Sequence, residues 1–391
     1  MQDAFILSAC RTPIGRFQGV FASVPATELA AISIHEAVTR AHLSFAAIDE
    51  VILGHVLTTG VGQAPARQAA LAAGLPVTVA AYTVNKVCGS GLKAVMLAVQ
   101  AIRCGEANVI VAGGMENMSR SPWVLARNSP PLGDRVLVDS LMHDALVCSF
   151  SGCSMGAIAE QLADKAGIGR SDQDRYALES HRRALEATQA GVFTSEIVPV
   201  TTGHESAQVT IRSDSGPRSD STLERLSALS PAFRDDGTIT AGNASMLSDG
   251  AAAVVVGNRS ACDRSSQTPL GRVVAAATSG GKPSDVFTAP VEAILEVVHK
   301  SGHALSDIDL FEINEAFAVE MIACIDQLAL PSDRVNIHGG AIALGHPIGA
   351  SGARVLVTLL HALKHRGARL GIAALCLGGG NAVAMLVDRN V

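Results

Sequence analysis

The sequence predicts a duplicated α/β fold, and three observations predict it. Residues 1–120 alternate short apolar runs with helix-period segments, as strands separated by crossover helices do. Residues 272–391 repeat that plan. In both stretches a glycine-rich turn opens a helix, and a glycine pair or triplet follows the next strand. With 391 residues the chain is too long for one ordinary core.

In the first half, residues 4–9 and 50–57 read as strands. Between them, residues 27–41 have the helical period, with Leu29, Ile32, Ile34 and Val38 among the apolar positions and Thr27 as N-cap. Residues 80–87 form a further strand, 91–104 a helix and 108–112 a fully apolar strand. In the second half the strands are 272–277, 309–313 and 371–377, and the helices 290–301 and 352–365. The texture changes over residues 119–249, where a helix at 172–190 precedes a polar stretch at 201–230. That stretch is either a solvated linker or a place where Arg212, Arg218 or Arg225 holds a polar ligand tail.

Composition narrows the function. Hydrophobic residues make up 48%, charged residues 17% and aromatics only 3%, with 37 glycines, so a large interior is packed from small side chains. A net charge of −6, with no basic arm, argues against nucleic acid. No uninterrupted apolar run reaches the ~18 residues that a membrane span requires, so no membrane partner is expected. The N-terminus carries no secretory-signal pattern. Eight cysteines, none in C-x-x-C spacing, suit a reducing cytoplasm better than a disulfide framework or a metal site.

Four loops could carry chemistry. Cys88 lies between a strand and the glycine-rich start of a helix, where the helix dipole is expected to favour thiolate over thiol. His346, framed by glycine and proline in Gly345-His-Pro-Ile-Gly349, can serve as its base. His338 competes for that role without the constrained frame. Asn314, after an apolar strand, can donate to an oxyanion or merely cap a turn. Cys376, before three glycines, can move a proton or simply fill the core. Each reading has an ordinary structural alternative, but loops from both halves meet where α/β sheets bind ligands.

These residues resemble the signature loops of the thiolases. The match comprises residues 85–94 around Cys88, the Asn314-Glu-Ala-Phe-Ala segment, residues 345–352 around His346 and Cys376-Leu-Gly-Gly-Gly380. Stretches at 11–15, 113–119 and 241–245 are also similar, so the likeness runs over nearly the whole chain. It implies a five-layered αβαβα fold with an inserted loop domain. Residues 1–118 and 250–268 would form the nucleophile half, 119–249 the loop domain over coenzyme A (CoA), and 269–391 the second half. The implied reaction is reversible Claisen condensation of two acetyl-CoA to acetoacetyl-CoA plus CoA through an acyl-Cys88. The alternative is a degradative 3-ketoacyl-CoA thiolase of broader chain length.

In the implied mechanism His346 takes the proton of Cys88, and Cys376 removes the α-proton of the second acetyl-CoA. One oxyanion hole would use His346 and a water held by Asn314, the other the N–H groups of Cys88 and Gly378. Arg218, Ser245 and Ala244 would contact CoA, with Met155, Phe233, Leu247, Ala316 and Phe317 around its pantetheine arm. CoA is substrate and product; no cofactor or metal is implied, and the assembly would be a homotetramer. Three departures touch substrate choice: Ser154 where many short-chain members have histidine, the Ala289-Pro290 form of the loop at 286–290, and Asn381-Ala382 after the glycine triplet. A β-ketoacyl synthase would lack Cys376, an acyl carrier would not need the reactive set, and a dinucleotide oxidoreductase would need a G-x-G-x-x-G turn that is missing here.

Overall fold

Strands buried on both faces read as continuous apolar runs, and those of this chain stack between helices on either side. A computed structural model describes residues 2–128, 132–203 and 208–391. Its main strands are β1 (Phe5–Arg11), β2 (Glu50–Gly54), β3 (Ala80–Val84), β4 (Val109–Asn117), β5 (Ser248–Gly257), β6 (Gly271–Gly280), β7 (Leu310–Ile313), β8 (Leu370–Leu377) and β9 (Asn381–Asp388). The principal helices are α1 (Ala26–Arg40), α2 (Pro65–Ala72), α3 (Ser90–Cys104), α4 (Met155–Ala166), α5 (Arg170–Gln189), α6 (Ala289–Ser301), α7 (Ala318–Leu328) and α8 (Ile348–Arg366).

The strand order is β7-β8-β9-β6-β1-β5-β4-β2-β3. β2 pairs in parallel with β3 and β4, and β7 with β8, while the other neighbours are antiparallel. Each half therefore follows one plan: β3-β2-β4-β5-β1 in the first and β7-β8-β9-β6 in the second. The strand of the second half that would match β3 is reduced to a parallel bridge between Phe311 and Val335. The duplication read from the glycine turns is thus a repeat of topology.

Side-chain alternation makes five layers. On β4, Ile110 and Ala112 face inward to α3 and α8, while Val109 and Val111 face outward to α1 and α2. On β8, Ala373 and Leu375 face the same inner helices, and Ile372 and Ala374 face α6 and α7. Glycines let the middle layer close. A Cβ on Gly114 would lie 2.1 Å from the Gly349 carbonyl oxygen, and one on Gly352 would lie 2.3 Å from the Leu92 nitrogen. The stretch Val87–Cys104 has a mean hydropathy of 1.3, enough by length and composition for a membrane span, but 56% of it is buried in the protein as this middle layer.

Most predicted elements are present within a few residues of their expected ends. One cap differs: α1 begins after Pro25, and Thr27 is a buried residue inside the helix rather than its N-cap. The polar stretch after residue 200 is not a mere linker. Asp214 accepts from Arg11 Nη1 and Nη2 at 2.7 and 2.9 Å and from the Ile14 nitrogen at 2.8 Å, tying the insertion to β1. Glu196 holds the Arg11 Nε at 2.6 Å.

Candidate active site

The loop that carries Cys88 is bent by its backbone. Val87 takes a φ of +48°, a left-handed conformation costly for a β-branched residue, about 1–3 kcal/mol. The bend is held locally. Asn85 Oδ1 accepts from the Val87 nitrogen at 3.0 Å; Ser90 Oγ accepts from the Lys86 nitrogen at 2.8 Å and donates to the Val87 carbonyl at 2.6 Å. Cys88 is thereby set ahead of α3, half-buried, on a cavity of about 310 Å³.

The electrostatic expectation for Cys88 is corrected here. Burial, then the negative charge of Glu320, push its thiol up to about 12, although its own N–H and that of Gly378 both direct hydrogen bonds at the sulfur and pull the other way. Desolvation disfavours the thiolate by more than the helix start favours it. Cys88 rests as a thiol, and attack by its sulfur would need a base.

His346 can be that base. Its ring is buried, and burial followed by the Arg354 charge lowers it to about 3, so it is neutral. Ser351 Oγ sits 2.6 Å from Nδ1 and donates its own proton to the Pro347 carbonyl at 2.9 Å. With that proton committed, Ser351 can only accept, so Nδ1 carries the imidazole hydrogen and Nε2 keeps its lone pair. The His346 backbone nitrogen is held by Met246 O at 3.0 Å and Ser248 Oγ at 3.2 Å.

Cys376 ends β8, opposite Ala382 in register, and the turn beyond it passes through Gly379 and Gly380 at φ of +87° and +79°. Its thiol is pushed well above the ordinary range by burial, then by Glu320 and by Cys88. Asn314 follows β7, with its backbone nitrogen on Ala374 O at 3.0 Å. Both its side-chain amide atoms are buried without a partner among the described residues.

Cys88, His346, Cys376 and Gly378 line this cavity, and so do Ser245, Ala244, Met155, Phe233, Leu247, Ala316 and Phe317. Asn314 is not part of the lining, although Ala316 and Phe317 just after it are. Arg218 is exposed and outside the lining, with its backbone nitrogen donating to His181 Nδ1 at 3.3 Å. Arg225 pairs with Asp220. His338 packs edge-on against Phe193 and His365, away from the cavity. Met118, Met142, Leu146 and Phe287 add to the apolar walls. Ser154 lines it too, and its hydroxyl accepts from the Ala157 nitrogen at 3.2 Å as the N-cap of α4.

Comparison with known proteins places this geometry. The family description "Thiolase, N-terminal domain" matches residues 4–260, and "Thiolase, C-terminal domain" matches residues 267–389. The chain belongs to the thiolase family. It is 49% identical over 392 residues to an acetyl-CoA acetyltransferase of Escherichia coli (strain K12), covering 100% of both chains. It is 48% identical over 393 residues to one of Pseudomonas aeruginosa, again across 100% of both. The crystal structure of the Bacillus anthracis acetyl-CoA acetyltransferase superposes with a TM-score of 0.97 at 41% identity, covering 99% of each chain.

Two carboxylates of this thiolase escaped the sequence reading. Glu116, inside the family-like stretch 113–119, faces His55 Nε2 at 3.2 Å and accepts from the nitrogens of Gly349, Val56 and Leu57 at 3.0, 3.2 and 3.3 Å. It fastens the histidine loop of one half to the strand ends of the other. Glu320, the second, lies fully buried beside Cys376. A glutamate early in a helix reads as a dipole-favoured surface residue, so only the packing of α7 reveals it.

Proposed function

We propose that this chain is an acetyl-CoA acetyltransferase, running reversible Claisen condensation of two acetyl-CoA to acetoacetyl-CoA and CoA. The observation that carries the reading is one cavity holding a neutral thiol, a histidine with Nε2 free and a second buried thiol. His346 Nε2 takes the Cys88 proton, the thiolate attacks the thioester carbon of acetyl-CoA, and the proton passes to the departing CoA sulfur. The N–H groups of Cys88 and Gly378, already aimed at the nucleophile's sulfur, would hold the carbonyl oxygen as it turns negative; such donors are worth roughly 3 kcal/mol each. Cys376 then removes the α-proton of a second acetyl-CoA, whose carbanion attacks acetyl-Cys88. The unpartnered amide of Asn314 supports a water at the second oxyanion position.

The apolar walls around Ala244, Ser245 and Phe233 suit the pantetheine arm. Arg218 would reach the polar end of CoA from outside the cavity. Exposed Trp123, Leu132, Val136 and Leu137, and the partly exposed edge strand β3, support a homotetramer, and eight free cysteines fit a cytoplasmic setting.

The reading is tested by CoA-dependent cleavage of acetoacetyl-CoA beside 2-methylacetoacetyl-CoA and a medium-chain 3-ketoacyl-CoA. Preference for acetoacetyl-CoA is the expected result. Comparable rates on the longer chain would assign the broader degradative activity instead.

A further inference from the structure

Glu320 occupies the first turn of α7 and has no exposed surface. One oxygen, Oε2, accepts from the Ala316 nitrogen at 2.9 Å, and the Phe317 N–H also points to the carboxyl. These contacts alone would make it a cap of its own helix. They leave Oε1 buried with no formed hydrogen bond, and no arginine or lysine pairs with the group among the described residues. The surroundings are apolar, with Phe287, Phe317, Val319 and Ala323 in one cluster. An acid in such a place, with one oxygen unspent, costs several kcal/mol if ionised without a partner. The side chain that faces it is the thiol of Cys376, which shares that apolar cluster and lies near the carboxyl without a formed hydrogen bond.

We propose that Glu320 is a positioning residue that accepts the proton of Cys376, so that Cys376 meets the second acyl-CoA as a thiolate. The inference rests on the reading that Cys376 exchanges the α-proton. The Glu320 carboxylate and Cys376 thiol together hold one proton and one negative charge. The proton moves from sulfur to Glu320, and Cys376 sulfur takes the α-hydrogen as the carbon keeps its electron pair. That carbanion bonds to the acetyl carbon on Cys88, and the carbon–sulfur bond to Cys88 breaks. The Cys88 thiolate recovers a proton from Cys376, Cys376 recovers one from Glu320, and the site returns to its starting state. His346 is then needed as a base only in the CoA half-reaction.

Burial pushes the Glu320 carboxyl up to about 8, with Glu315 adding to the rise, so its ionisation falls in an accessible range. The titratable groups whose charge acts on it or feels it are Cys376 from β8, Cys88 from the loop before α3, Cys324 one turn along α7, and Glu315, whose own carboxylate is turned to Tyr176, Ser180 and Asn336.

The experiment follows solvent deuterium entering the methyl group of acetyl-CoA, together with acetylation of Cys88, in wild type, Glu320→Gln and Cys376→Ser. Glutamine keeps the size and an oxygen for the Ala316 N–H but cannot take a proton. The ratio of α-exchange to Cys88 acetylation is expected to fall by roughly 10²-fold in Glu320→Gln. The wild-type exchange rate should also rise through about pH 8, and that rise should be lost in the variant. An unchanged ratio with an unchanged pH profile overturns the role of Glu320. Wild-type exchange in Cys376→Ser overturns instead the reading of Cys376 beneath it. A second measurement leaves residue 320 untouched: iodoacetamide alkylation of Cys376 in a Cys88→Ser background. An inflection near pH 8 supports the coupled pair. A rise only far above that, in the range of an isolated buried thiol, overturns it.

Discussion

Replacing Ser351 with alanine should disarm His346 without touching the cavity wall. The hydroxyl holds Nδ1 at 2.6 Å and is itself oriented by the Pro347 carbonyl at 2.9 Å. Its loss leaves a buried N–H unpaired, a penalty of about 1–3 kcal/mol for the tautomer that keeps Nε2 basic. The imidazole escapes by moving its hydrogen to Nε2, which removes the base. At ~1.36 kcal/mol per tenfold, Cys88 acetylation should slow about 5- to 150-fold. The assay is single-turnover transfer from radiolabelled acetyl-CoA, quenched and counted on protein, with the thermal midpoint measured in parallel. Wild-type acetylation in a folded Ser351→Ala variant would refute the claim that the serine sets the tautomer.

Three further outcomes are expected. Cys88→Ser should block acyl-enzyme formation, whereas Cys376→Ser should acylate and then fail at carbon–carbon bond formation; equal loss of acylation in both would undo the division of roles. Gly114→Ala puts a methyl 2.1 Å from the Gly349 carbonyl, so the middle layer must open; denaturation should show a loss of about 1–3 kcal/mol or more, and an unchanged midpoint would mean the helices can slide apart freely. Stability should also fall as pH rises from about 4.5 to about 8. The Glu320 carboxyl is raised to about 8 in the fold, so its contribution is full below about 4.5 and lost on rising through 8. The slope is about 1.4 kcal/mol per pH unit, and Glu320→Gln should lack that part of it in pH-dependent melts; identical slopes would place the titration elsewhere.

Much of this was legible because the reactive groups sit in loops with unusual local chemistry. Cys88 and His346 stand beside glycine or proline, and Cys376 two residues before a glycine triplet, which carry their constraint in the sequence itself. The strands around them were legible as apolar runs. β5 was less so, since its run of alanines and valines has no alternation: both faces are buried. The direction of the Cys88 shift was not legible, because desolvation depends on what packs around the sulfur. Nor was the tie between Arg11 and Asp214, whose partners lie 203 residues apart. Glu320 belongs with these, being ordinary in its helix and unusual only against β8.

The halves also divide the chemistry. Cys88 comes from one and His346 and Cys376 from the other, and they meet only because α3 and α8 touch through glycines with almost no side chain between them. Such a joint works as a hard stop: it fixes the separation of the Cys88 and His346 loops by backbone contact, which does not vary with rotamers. Catalytic rate then becomes a gauge of that joint. Activity and the middle-layer fold should be lost together on heating, whichever half loosens first.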